Sequence, residues 1–178
     1  MNLGADVDMY ERALRQTAGR LKGLGENASD NEQRELYFQA LWAVRKMALV
    51  NPLLDFEDIL FVKRAPGIFP HVSDQYYGWW SRPGGGIYLL KDFKSDTPRL
   101  HCITSGWPEG NFLRPELSYD GKKVLFAWCK YYPHVSGMKN KVDKENLPED
   151  SFYHLFEMSI DGGDVRQLTH GYYDDFDG

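Results

Sequence analysis

Apolar residues follow a helical rhythm up to Asn51 and an alternating one beyond Pro52. Between Asp6 and Leu24, the residues Met9, Ala13, Leu14, Leu21 and Leu24 recur at helical spacing. Gly23-Leu-Gly-Glu-Asn-Ala-Ser29 breaks that pattern. Ser29 or Asp30 then caps a second helix, with Glu32 and Glu35 in its early turns. Leu36, Ala40, Leu41, Val44, Ala48 and Leu49 form its apolar face. Asn51-Pro52 ends it, because a residue before proline is driven out of the α region. Two amphipathic helices in succession read as a helical hairpin packed on the sheet that follows.

Beyond Pro52 the alternation predicts strands near 58–64, 86–92, 98–104, 113–118, 123–129, 153–160 and 164–169. They contain a repeat. Asp58–Arg64, Gly86–Lys91 and Pro98–Ile103 recur as Lys123–Trp128, Tyr153–Met158 and Asp164–Leu168. The first and third members keep one offset, 124 − 59 = 65 and 168 − 103 = 65. Asp120-Gly121 and Asp161-Gly-Gly163 supply hairpin turns, whereas Gly84-Gly-Gly86 and Lys139–Asp150 read as loops. A repeated antiparallel unit buries its faces by stacking on neighbours, as propeller blades do. The expected fold is mainly β: a partial β-propeller of about two antiparallel blades after an N-terminal helical hairpin. Residues 1–51 form the hairpin and 52–178 the first blades, cut short at the C-terminus. Such a piece leaves apolar sheet faces in water, so the chain on its own is expected to self-associate.

Composition narrows the partners. The 178 residues carry a net charge of −5 and no dense Lys/Arg cluster, which argues against nucleic acid. No apolar run approaches the roughly 18 residues of a membrane span. Met1-Asn-Leu-Gly-Ala-Asp6 shows no signal-peptide pattern, so the expectation is a cytoplasmic protein or one that begins after a removed leader. Cys102 and Cys129 form no CxxC pair, and no CxxCH haem attachment is present.

Two groups of residues are candidates for binding. His71, Asp74 and Gln75, with Tyr76 and Tyr77, form the one constellation able to hold a ligand. His71 and Asp74, three apart, can face one cation on a turn, with His134 as a third ligand from another loop. The alternative is that they cap a long loop by hydrogen bonds to the backbone. The expected cofactor content is none, apart from a metal ion at that site. Tyr76, Tyr77, Trp79, Trp80 and Trp107 are aromatics that either stack on a carbohydrate or protein partner or pack against neighbouring structure. Gly84-Gly-Gly86 precedes a strand and not a helix, so it is no phosphate cradle. The chain has no G-x-S-x-G nucleophile motif.

Pro115–Phe126, Asp161–Gly163 and Leu168-Thr-His-Gly171 resemble blades of Tol-type and prolyl-oligopeptidase propellers. Longer blocks, Asn51–Arg64, His71–Gly78, Pro83–Leu90 and Leu113–Trp128, resemble the hydrazine synthase alpha-subunit propeller family in the order expected. The resemblance runs from about Arg45 to Asp177 and implies a propeller of about six blades, of which this chain holds under two. It also implies a periplasmic or extracellular protein whose remaining blades lie elsewhere in the parent chain. In hydrazine synthase, covalently bound c-type haems carry the redox chemistry, which a chain without CxxCH does not carry by itself. Ser73 stands where the resemblance implies Cys, which weakens a metal site there. The expected role is a binding or scaffolding module. The rivals are part of a larger redox or hydrolase enzyme whose catalytic residues lie outside this chain, and a peptidase-type propeller that filters substrates.

Overall fold

In the computed structural model, residues 6–24, 28–65, 82–136, 139 and 146–176 are described. The chain is a mixed helix and sheet protein. It divides into two compact units, Met1–Glu57 with Lys94–Asp96, and Asp58–Phe93 with Thr97–Gly178.

The first unit is a helical hairpin of α1 (Asp8–Gly23) and α2 (Asp30–Leu49). Of the two caps the sequence offers for α2, Ser29 takes the role and Asp30 is the first helical residue. Ser29 Oγ accepts from Glu32 N at 3.3 Å, and Glu32 Oε2 accepts from Ser29 N at 2.9 Å, a reciprocal capping box. Hydrogen bonds from the Ser29 backbone and hydroxyl hold the Glu32 carboxyl below the usual carboxylate range. The apolar face of α2 differs from the expected stripe. Leu36 and Ala43 are buried, while Leu41 and Val44, expected inside, are exposed along with Tyr37, Phe38 and Trp42. The inward stripe instead steps through Leu36, Ala40, Ala43 and Met47 at four, three and four residues. The stretch Lys94–Asp96 belongs to this unit because Arg45 donates to Ser95 O, Lys46 pairs with Asp96 and Lys94 pairs with Glu57.

The second unit holds two antiparallel sheets. The first has the order β1 (Ile59–Arg64), β2 (Gly85–Lys91), β3 (Arg99–Cys102). The second has the order β4 (Gly110–Leu117), β5 (Lys123–Lys130), β6 (His154–Ser159), β7 (Arg166–Gln167). All seven expected strands are present. β4 starts three residues earlier than expected, at Gly110 in place of 113. Its register slips between Leu113 and Glu116, where Arg114 has φ 45° and Pro115 has no N–H to give the ladder. The bulge absorbs a proline that alternation alone places inside a strand.

Two stretches expected as loops are partly structured. β2 begins at Gly85, inside the glycine run. A Cβ at Gly85, which has φ +110°, would lie 1.9 Å from Lys63 O, so the glycine lets the β1–β2 ladder close. The Lys139–Asp150 stretch ends in a buried Leu147, packed with Val135 and Phe152, and runs into a 3-10 turn at Glu149–Ser151.

The pairing registers of the two sheets superimpose residue by residue. Ile59 pairs with Leu90 and Val124 with Met158, giving 124 − 59 = 65 and 158 − 90 = 68. Tyr88 pairs with Cys102 and Phe156 with Gln167, giving 156 − 88 = 68 and 167 − 102 = 65. Hydrogen bonds repeat as well. Ile87 N donates to Thr104 Oγ1 and Leu155 N to Thr169 Oγ1, both at 3.0 Å. Ile103 N donates to Ile87 O at 3.0 Å, and Leu168 N to Leu155 O at 2.8 Å. The middle strand is thus offset by 68, one more than the sequence alignment of Gly86–Lys91 on Tyr153–Met158 implies.

That single residue decides which faces correspond, since a slip of one turns every side chain to the other side. One core joins the sheets: Ile87, Leu89 and Ile103, with Leu60 and Val62, meet Phe112, Val124, Phe126, Trp128, Phe156 and Met158. Offsets of 65 and 68 carry Leu60, Val62 and Ile87 onto Leu125, Ala127 and Leu155, which lie on the opposite side of the second sheet. The two sheets therefore stack front to back, and not face to face as in a sandwich. Thr104→Val leaves the N–H of the fully buried Ile87 without an acceptor and should cost about 1–3 kcal/mol. Thr169→Val, which frees the half-buried Leu155 N–H, should cost less; urea unfolding of the two variants checks the order.

Candidate functional site

The long β1–β2 and β5–β6 connections leave from one end of the second unit. β1 closes on β2 at Arg64 and Gly85, β5 closes on β4 at Lys130 and Gly110, and Gly84 N donates to Gly110 O at 3.3 Å. That end carries Lys130, Tyr132 and His134, described residues at the start of the β5–β6 connection.

Of the residues singled out in the sequence, His71, Asp74, Gln75, Tyr76, Tyr77, Trp79 and Trp80 lie outside the described residues. His134 sits exposed on the short helix α3 (Pro133–Ser136), its ring edge-on to Tyr132 at 5.6 Å. Among the described residues, no group of three or more His, Cys, Asp or Glu side chains is placed to hold a metal ion. Trp107 takes the packing role. Its ring meets Phe112, Phe126, Trp128 and Phe156 edge-on, with centroids 5.1–5.7 Å away.

The structure adds two polar clusters built on the 3-10 turn, whose adjacent carboxylates point apart. Asp150 Oδ1 accepts from the Tyr132 hydroxyl at 2.6 Å, and its Oδ2 lies 3.7 Å from Lys130 Nζ. The Lys130 ammonium also lies 4.9 Å from the centre of the Tyr132 ring. Burial, then the bond to Asp150, pushes the Tyr132 hydroxyl above its ordinary range. Tyr132 first, and then the charge of Asp150, raises the Lys130 ammonium. At neutral pH the cluster therefore presents an ammonium and a phenol, both held against Asp150.

Glu149 serves the second cluster. Its Oε1 accepts from Gly171 N at 2.7 Å and lies 3.7 Å from His170 Nδ1, while its carbonyl accepts from His154 Nε2 at 3.2 Å. His154 is buried, and its Nδ1 lies 3.7 Å from Asp175 Oδ2. Asp174 and Asp175 then tie the segment after β7 to the start of β6: Tyr153 N donates to Asp174 Oδ1 and Asp175 N to Tyr153 O, both near 2.9 Å or shorter. Beneath them, Asn111 Nδ2 donates to the Tyr153 hydroxyl at 2.7 Å with both residues buried. Tyr153→Phe leaves that amide with its partner gone and should destabilise the chain by about 1–3 kcal/mol, measurable by thermal melting.

Sequence reasoning missed Lys130, Tyr132, Glu149, Asp150, His154, His170 and Asp175. The available signal was position: the first two and the next three bracket the β5–β6 connection, and the last two follow β7. Architecturally, the second unit is a pair of antiparallel sheets in a front-to-back stack, with long connections at one end. No protein-family model, no curated protein and no solved structure matches this chain.

Proposed function

We propose that this chain supplies blades of a β-propeller that works as a binding or scaffolding module, of the hydrazine synthase alpha-like kind. The observation that carries the reading is the front-to-back repeat, in which the register and the Thr104 and Thr169 hydrogen bonds recur at the same offsets. A unit repeated in that sense presents the same kind of face at every step, and such units extend by adding neighbours. The β1–β2 and β5–β6 connections, which leave the sheets from one end, would supply the binding surface, because recognition in repeat scaffolds sits on loops held by a rigid frame. A protein or carbohydrate partner fits its aromatic and charged composition, and a periplasmic or extracellular location accords with the family resemblance.

A crystal structure of the natural polypeptide that contains this chain tests the reading. Further antiparallel sheets stacked on the outer faces at the same angular step are expected. Outer faces covered by helices or by an unrelated fold would sink it. A glycan array separates the partners: sugar binding lost in Trp79→Ala and Trp80→Ala supports a carbohydrate, and a folded chain that retains no glycan directs the module to protein.

A further inference from the structure

Between the two sheets of the second unit, at the end away from the long connections, the core opens into a cleft of about 650 Å³. That volume lies within the span of about 300–1,000 Å³ usual for small-molecule sites. Its floor is apolar: Leu60, Leu89 and Ile160 extend the core outward, and Leu117 adds to it. The strand registers decide what stands beside that floor. Leu60 faces Leu89 and Leu89 faces His101, so the three form one row across the first sheet. Two residues on, away from the core, Asp58, Lys91 and Arg99 share the same side, with Lys91 opposite Arg99. The second sheet contributes Asp161, from the turn after β6.

Most of these polar groups are only partly engaged. Arg99 is paired with Asp92 at 2.7 Å. Asp58 Oδ1 accepts from Asp92 N at 3.1 Å and Asp161 Oδ1 from Gly163 N at 2.9 Å, which leaves each carboxylate its Oδ2. Among the described residues, Lys91 has no ion pair and His101 no hydrogen bond. The cleft therefore offers one ammonium, one imidazole and two carboxylate oxygens beside an apolar floor. A simple anion there meets two carboxylates, and a simple cation meets Lys91. A molecule that carries both signs on an apolar body finds a complement for each part.

We infer that the cleft takes a small aliphatic zwitterion, an apolar α-amino acid. Its carboxylate lies toward Lys91 and His101, its ammonium toward Asp58 and Asp161, and its side chain on Leu60, Leu89 and Ile160. Both walls belong to this chain, so the site depends neither on the blade reading nor on what covers the outer faces. It is also separate from the long connections at the opposite end.

A methyl-resolved NMR titration of the chain tests it with three probes. L-Leucine carries both charges, isocaproate lacks the ammonium and isopentylamine lacks the carboxylate. L-Leucine is expected to give saturable shifts at the Leu60, Leu89 and Ile160 methyls. Each half-ligand should bind about tenfold more weakly or worse, since each forgoes hydrogen bonds between charged groups. Lys91→Met should lower L-leucine affinity to that of isopentylamine while leaving isopentylamine no weaker. Asp161→Asn, which keeps an oxygen for Gly163 N, should weaken L-leucine and isopentylamine but not isocaproate. Thermal melting confirms that each variant is folded, and His101→Gln replaces either one that is not, with a loss expected for L-leucine and isocaproate. No saturable shift with L-leucine, half-ligands that bind as tightly as L-leucine, or folded variants with unchanged affinities each overturn the inference.

Discussion

Trp107→Ala should lower the stability of the second unit by about 3–5 kcal/mol, the range for removing a large aromatic from a core. Trp107 is half-buried by accessibility, yet its ring contacts four aromatic side chains, all from the second sheet. It sits in the connection that leads from β3 into β4, so the void opens where one sheet hands over to the next. For a chain of this length such a loss corresponds to a fall in melting temperature of roughly 10 °C. The informative control is Tyr172→Ala, the counterpart 65 residues on, whose 54% exposure predicts a change close to that of an ordinary surface substitution. Equal losses from the two variants would mean that Tyr172 is already packed as Trp107 is. A small loss from Trp107→Ala would mean that the aromatic cluster does not hold the sheets together.

Gly162→Ala should be comparably damaging for a different reason. Gly162 has φ +91°, which a side chain rarely adopts, and a Cβ there would come within 2.4 Å of Ile103 O, just past the end of β3. Backbone strain and overpacking each cost about 1–3 kcal/mol, so a combined loss of about 2–6 kcal/mol is expected. The obstruction is a backbone oxygen, and no side chain can swing aside to relieve it. Gly106→Ala provides the comparison, because an added Cβ at Gly106 meets nothing within 4 Å. Denaturant unfolding of both variants checks the pair. A Gly162→Ala protein as stable as Gly106→Ala would show that the turn between β6 and β7 does not abut the first sheet.

Strand positions were legible because alternation and turn residues act locally. Val124, Phe126 and Trp128 alternate with Leu125 and Ala127, and Asp120-Gly121 does form the turn between β4 and β5. The repeat was legible for the same reason at its first and third strands. The middle offset was not, because it depends on turn lengths that propensity does not set. The turn from β2 to β3 is three residues longer than its counterpart from β6 to β7, 68 − 65 = 3. Lys94–Asp96, the stretch in that turn, is held by Arg45 and Lys46 of α2 and by Glu57. The inward stripe of α2 was misjudged because Leu41 and Val44 are as apolar as the residues that are buried. Pattern alone does not choose between neighbouring stripes. Of the polar clusters nothing was legible, since Glu149 and Asp150 reach His170, Gly171, Tyr132 and Lys130 only after the β5–β6 connection has folded back.

The central claim is that the two sheets are one unit repeated front to back. A crystal structure of the chain tests it most directly, through the superposition of β1–β3 on β5–β7. The account predicts that the best fit sets Phe61 on Phe126, Tyr88 on Phe156 and Thr104 on Thr169, turning the inner face of the first sheet onto the outer face of the second. A best fit that instead sets Leu60 on Phe126 and Leu89 on Phe156 would relate inner face to inner face, describe a sandwich and contradict the account.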